Sequence, residues 1–326
     1  MIPYIVAIDI GGTSMKAGIF TLDGEIQHKF VIKSDREDNG TRIIPNMISA
    51  IDENITQLKL DKNALEGIGI TVPGPTRECK YVLKCVNLFW TEKKDLRKEV
   101  LDLLPKEYNK EKIIVRVGND ANLAALGEIW KGAGEGAKNA IIITLGTGVG
   151  GGIVIDGKVL DGTMGVGGEI GHIHISDDVD YNCNCGSLGC LEQFCASPGI
   201  LYKTKKKLQN TKENSTLRNY DISKLEVKDI FNEAKNGDSI ATEIVDDMSK
   251  KLGLAISILT NIIDPEVFLI GGGISKAGDF LIDKVKKYRD EWATLRIEKT
   301  PIKVATLGND AGMYGACKLI LDRMYV

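Results

Sequence analysis

Gly167-Gly168-Glu169-Ile170-Gly171-His172, followed after a short spacer by Cys183-Asn184-Cys185-Gly186-Ser187-Leu188-Gly189-Cys190-Leu191-Glu192, is the stretch on which the reading of this chain turns. It places cysteines at C-x-C-x4-C spacing behind a histidine. Three thiolates and one imidazole complete a tetrahedral set for Zn²⁺, and short spacers let one loop wrap the ion at small ordering cost. His172, Cys183, Cys185 and Cys190 are therefore the candidate metal ligands. The competing reading is buried thiols or a disulfide, although Gly186 and Gly189 suit a tight ligand loop. A site closed by protein atoms leaves no position for a metal-bound water, so the ion would be structural. Its loop would hold the carboxylates of Glu169 and Glu192 beside one small cavity, where they could accept bonds from sugar hydroxyls.

Upstream, Asn139 to Leu145 is an apolar β run leading into Gly146-Thr147-Gly148-Val149-Gly150-Gly151-Gly152 and a returning strand to Ile155. So many glycines leave little side chain to pack, which suits a bare main-chain cradle for phosphates. The start of the chain repeats this layout weakly. Tyr4 to Ile8 is apolar, Asp9-Ile10-Gly11-Gly12-Thr13 follows, and Met15 to Phe20 reads as the strand coming back. Backbone N–H groups at such a turn can approach phosphate oxygens; Thr13 offers a hydroxyl, Lys16 a charge and Asp9 a water-bridged seat for Mg²⁺. A plain tight hairpin is the alternative here.

Ile113 to Val117 is another β run, and Gly118-Asn119-Asp120 then opens a helix with an apolar face of Leu123, Leu126, Ile129 and Trp130. Asp120 thus falls at the carboxyl end of a strand, where open α/β sheets bind ligands. Helix capping is the competing role for it. The periodicity predicts strands over 26–32 and 67–72, the latter ended by Pro73-Gly74-Pro75, and helices over 41–58, 231–235 and 240–263. Glu266 to Ile270 reads as a strand ending in Gly271-Gly272-Gly273-Ile274-Ser275, a turn that lets an adenine or ribose lie close to the backbone before a helix over Phe280, Leu281 and Val285. Asn309-Asp310-Ala311-Gly312 begins a last helix. The lysine-rich segment 203–219 reads as solvated surface.

The 326 residues suffice for two domains, with 43% hydrophobic content and a formal charge of −3 that gives no footing for nucleic acid or an anionic membrane. Neither a targeting segment nor a membrane-length apolar run is evident. Seven cysteines, four of them between 183 and 195, fit a reducing cytoplasm with one metal site, and Cys79, Cys85, Cys195 and Cys317 read as packing residues.

E-x-G-H followed by C-x-C-G-x-x-G-C-x-E resembles the ROK family of sugar kinases and sugar-responsive repressors. With the glycine loops added, the resemblance spans nearly the whole chain and looks most like the bacterial glucokinases. The spacer from His172 to Cys183 is about a residue longer than the family pattern, which lengthens the loop without removing a ligand. The resemblance implies an α/β, two-domain actin-like ATPase (ribonuclease H-like) fold with an interdomain cleft, residues 1–117 plus 309–326 forming the smaller domain and 118–308 the larger. It makes Asp9, Gly11, Gly12, Thr13 and Lys16 the first phosphate loop, Gly146, Thr147 and Gly148 the second, and Gly271, Gly272 and Gly273 the nucleotide turn. Asp120 becomes the catalytic base. Asn119, Glu169, His172 and Glu192 become sugar ligands, with Gly74 and the Asn87 segment closing over the sugar.

The implied reaction is transfer of the γ-phosphoryl of ATP, with Mg²⁺, to the 6-hydroxyl of a hexose, glucose first. N-acetylmannosamine, N-acetylglucosamine, mannose or allose is the alternative acceptor. A repressor would carry a DNA-binding domain ahead of Tyr4, for which no room is expected. A cytoplasmic homodimer is expected because members of the family commonly form one.

Overall fold

The structure is a computed structural model describing residues 2–293 and 299–324. Contacts divide it into two compact units, Met1–Lys138 with Gly152–Gly168 and Asn309–Val326, and Asn139–Gly151 with Glu169–Gly308.

In the first unit, β1 (Tyr4–Ile10), β2 (Ser14–Thr21) and β3 (Ile26–Lys33) form an antiparallel meander. A short turn, α1 (Glu37–Gly40), leads to α2 (Ile43–Gln57) and then to β4 (Leu65–Val72), which pairs parallel with β1. The small strands β5 (Thr76–Arg77), β6 (Tyr81–Val82) and β7 (Lys94–Asp95) make a sheet of their own before α3 (Leu96–Leu103). Strand β8 (Ile114–Asn119) completes the main sheet in the order β3-β2-β1-β4-β8 and runs directly into α4 (Asp120–Lys131).

Tyr4 to Ile8 are all buried, without the alternation of a half-exposed strand, because a parallel core strand is covered on both faces. One cover is α2, whose Ile43, Ile44, Met47, Ile51 and Ile55 share a core with Val6, Ile8, Ile68 and Ile70. Each such side chain contributes roughly 1.5–3 kcal/mol of hydrophobic stabilisation.

The chain goes on through β9 (Ala140–Leu145), β10 (Val149–Ile155) and β11 (Lys158–Val159). The second unit holds α5 (Glu192–Cys195), α6 (Ser197–Asn210), α7 (Val227–Lys235) and α8 (Ser239–Ile263), then β12 (Val267–Gly271), α9 (Asp279–Trp292) and β13 (Ile302–Val304). The second large sheet has the order β11-β10-β9-β12-β13, with β12 parallel to both β9 and β13. It repeats the first strand for strand. The predicted long helix is α8, packed against α9, α7, α6 and α5.

Helix α10 (Ala311–Met324) returns to the first unit and packs on α4, β1 and β4. A Cβ on Gly315 would stand 1.7 Å from the Leu123 carbonyl, and one on Gly127 2.3 Å from that of Ala311, so only glycines permit this approach. That packing puts residues 118–138 with the first unit. The expected division at 117/118 is therefore not where the contacts divide the chain. Segment 203–219 also differs from expectation, since α6 carries it as far as Asn210. Thr204 and Leu208 are buried there, while Lys203 and Lys207 pair with Asp247 and Glu243 of α8. Among the described residues no helix is long and apolar enough to cross a membrane.

Candidate functional site

In the first unit the predicted residues gather at the carboxyl ends of β1, β4 and β8. Asp9 and Thr71 are register partners, as are Thr71 and Gly118, so the three strands end together. The Thr71 hydroxyl donates to Asp9, Lys16 lies opposite Asp9 on β2, and the start of α10 at Gly312 comes against the same carboxylate. Burial pushes the Asp9 carboxyl above its ordinary value, opposed by the Thr71 hydroxyl and the Lys16 charge. A cation beside it would restore the charged form.

The hairpin turn is closed by Gly11 N donating to Ser14 O at 3.0 Å, and it is held from just past β3 by the Ser34 hydroxyl on Gly11 O (2.6 Å) and Ser34 N on Thr13 O (3.1 Å). Gly11 N–H is thereby spent. Among the described residues Gly12 and Thr13 N–H have no protein acceptor, so they, rather than Gly11, are the donors an anion would meet.

Asn119 settles the capping question. Its Oδ1 accepts from Asn122 N (3.1 Å), capping α4, and its Nδ2 donates to Gly74 O (3.2 Å), tying in the Pro73–Pro75 loop. Asp120 is the first helical residue, with Oδ1 accepting from Ala121 N at 2.8 Å. Gly74 is pressed against the next segment, since a Cβ there would lie 2.5 Å from Lys84 O. Burial pushes the neighbouring Cys85 thiol up to about 11, and the Asp120 charge adds to the shift. Asn87 O lies 3.5 Å from where a Gly12 Cβ would stand. Gly12, Gly74, Asn87, Asn119 and Asp120 thus belong to one connected patch.

In the second unit Nδ1 of His172 is 3.7 Å from Cys183 Sγ, and Cys185 Sγ is 3.6 Å from Cys190 Sγ. All the donor atoms of His172, Cys183, Cys185 and Cys190 lie within 4.8 Å of one another. Tetrahedral Zn²⁺ with its usual bond lengths separates its ligands by roughly 3.5–3.8 Å. The donor set and its spacing fit that ion. The Ser187 backbone N–H draws the exposed Cys185 thiol down to about 7, whereas burial pushes the Cys190 thiol up to about 12. A bound cation would hold these sulfurs as thiolates.

Gln193, which the sequence reading passed over, is the brace of this loop. Its Oε1 accepts from Gly189 N (2.8 Å) and Cys190 N (3.0 Å), and its Nε2 donates to Tyr181 O. An amide residue three positions beyond Cys190 is the only signal the sequence offers for it.

Glu192 joins this loop to the second glycine hairpin. Its Oε2 accepts from Val149 N at 2.9 Å, and its Oε1 is 3.8 Å from Cys183 Sγ. A Cβ on Gly148 would come within 2.6 Å of that carboxylate. Gly146 N–H closes its own turn onto Gly148 O at 3.0 Å. Among the described residues the N–H groups of Thr147 and Gly148 remain without protein acceptors. Glu169 precedes the turn Ile170–His172 and is exposed, its carbonyl accepting from His172 N (3.1 Å). At the end of β12, Gly272 has φ +82° and sits against Leu145 O of β9, which brings the Gly271–Gly273 turn beside the strand feeding the glycine hairpin.

Two sheets of identical strand order, each opened by a glycine-turned hairpin, define an actin-like ATPase fold. The family model of the ROK family matches residues 5–323, and the chain belongs to that family. It is 40% identical over 320 residues to a glucokinase of Halalkalibacterium halodurans, covering 97% of this chain and 94% of that protein. It superimposes with a TM-score of 0.73 on a ROK family glucokinase from Streptomyces griseus in complex with glucose and AMPPNP, at 31% identity and covering 97% and 98% of the two chains. A xylose repressor of Caldicellulosiruptor bescii is 26% identical, covering 98% of this chain and 78% of the repressor.

Proposed function

We propose that this chain is a sugar kinase that transfers the γ-phosphoryl of ATP to the 6-hydroxyl of a hexose, with glucose as its first substrate. The observation that carries the reading is the placement of Asp120: Asn119 is the N-cap of α4, and Asp120 follows it directly at the carboxyl end of β8, where β1 and β4 also end. The identity to a glucokinase over nearly the full length supports the same acceptor. The kinase reading outranks the repressor reading because Asp120 and both glycine hairpins are present together, and a sensor needs neither.

Asp120 accepts the proton of the attacking 6-hydroxyl, a contribution of ~10²–10⁴ in rate. Asn119, Glu169, His172 and Glu192 take the other hydroxyls, with Gly74 and Asn87 as further sugar contacts. Gly12 and Thr13 N–H on one hairpin, and Thr147 and Gly148 N–H on the other, neutralise charge on the phosphates. The Gly271–Gly273 turn receives the nucleoside.

Mg²⁺ bound near Asp9 would supply charge compensation for the transferring group. Zn²⁺ would be held by His172, Cys183, Cys185 and Cys190, and its contribution is rigidity. His172 offers Nδ1 to the cluster, which leaves Nε2 to face the sugar in a fixed tautomer. A cytoplasmic homodimer is part of this proposal.

The test is ADP release from the purified protein across glucose, mannose, allose, N-acetylmannosamine and N-acetylglucosamine. Glucose should give the highest kcat/KM. Turnover of an N-acetylhexosamine in preference would move the assignment within the family, and none with any sugar would end the kinase reading.

A further inference from the structure

The loop after β3 carries two arginines with different surroundings. Arg42 pairs with Asp35 (3.7 Å) and Asp38 (3.0 Å). Arg36 has no carboxylate within ion-pair distance among the described residues; its guanidinium lies over the Phe89 ring at 5.5 Å from the centroid. Stacking on an aromatic face orients the planar group and leaves its N–H fork open at the edges, the arrangement that suits a phosphate. Phe89 holds its ring there from a left-handed backbone conformation, φ +59°, which is sterically costly for an aromatic residue. Arg36 Nη1 also lies 3.9 Å from where a Gly12 Cβ would stand, the same point that Asn87 O approaches to 3.5 Å. The unpaired cation, the bare face of the first glycine turn and the predicted sugar residue Asn87 therefore converge.

Building on the sugar kinase reading, we propose that Arg36 is a ligand-contacting residue for the phosphoryl group at the sugar end of its journey, recognising the phosphate of a hexose 6-phosphate and of the donor that precedes it. The turn's own N–H groups are neutral dipoles. Arg36 adds the full charge that they lack, and Phe89 keeps it aimed.

Calorimetric titration of the full chain and of R36A, R36K and F89A with glucose and with glucose 6-phosphate tests this, alongside steady-state KM for ATP. R36A should leave glucose affinity unchanged and weaken glucose 6-phosphate by roughly tenfold to a hundredfold, the loss expected for a charge-assisted hydrogen bond. R36K should fall between, since the charge stays and the fork goes. F89A, which keeps the charge but loses its support, should weaken glucose 6-phosphate less than R36A does. A rise in KM for ATP with glucose 6-phosphate binding intact would place the contact on the donor phosphoryl. Equal losses for glucose and glucose 6-phosphate would mark Arg36 as structural only, and no change in either ligand or in KM for ATP would likewise overturn the inference. Binding is read without turnover, so a parent that binds glucose 6-phosphate through Arg36 but phosphorylates no sugar would sink the kinase reading alone.

Discussion

Replacing Glu192 separates the job that the structure gives its carboxylate, holding the 146–149 hairpin, from the sugar contact proposed for it. Oε2 is the acceptor for Val149 N–H at 2.9 Å, and Val149 is 5% exposed, so in E192A that donor is left buried and unsatisfied. The penalty for such a donor is about 1–3 kcal/mol, which is roughly a 5- to 150-fold shift in the population of the correctly shaped 146–149 hairpin. KM for ATP should rise within that range, and the thermal unfolding midpoint should fall by a few degrees (about 2–4 °C per kcal/mol for a large domain). E192Q keeps an oxygen acceptor for Val149 N and loses only the charge. It should therefore restore KM for ATP and stability while still raising KM for glucose. Steady-state kinetics with each substrate varied in turn, with melting curves on the same preparations, reads both effects. If E192A and E192Q share one KM for ATP, the link from Glu192 to the 146–149 hairpin is wrong.

Other outcomes follow from the same geometry. D120N should lower kcat by ~10²–10⁴ with glucose binding retained, and a variant that still turns over at the parent rate would remove the base assignment. Elemental analysis should find about one zinc per chain, and stripping it should lower both the melting temperature and glucose affinity; metal-free protein of full stability would refute the structural role. Asp238 caps α8 and accepts from Ala241 N (2.8 Å), Thr216 N (2.7 Å) and the Ser215 hydroxyl (3.0 Å). Burial works against its charge, yet those bonds outweigh it and hold the carboxyl below its ordinary value. Its contribution is thus complete above the usual carboxylate range and is lost as pH falls through the depressed folded value. D238N should flatten stability between about pH 4 and lower pH, where the parent declines, and parallel profiles would count against it.

What was legible in the sequence was local. The apolar runs gave the main strands and α8 within a residue or two, because burial on both faces or along one stripe writes itself into consecutive residues. The clustering of His172, Cys183, Cys185 and Cys190 was legible through spacing alone. Strands β5 to β7 were not, since two-residue strands have no period to show. Which of Asn119 and Asp120 is the N-cap could not be told until Asn119 was seen accepting from Asn122. Gln193 and the Val149 bond of Glu192 were hidden because their partners are set by tertiary approach. The same is true of α4, whose place beside α10 rests on Gly127 meeting a carbonyl almost two hundred residues away.

That last contact bears on how the protein is made. The sheet of the first unit is complete in strands once residue 119 has been synthesised, but α10, which packs on it, does not leave the ribosome until the chain has passed residue 324. Through the whole intervening translation, at ≈ 5–20 residues per second, Gly67 and Gly69 present bare strand backbone with nothing from Ile320 and Ala316 to cover it. Nascent protein should therefore engage chaperones over that interval, and release them only when the final helix docks.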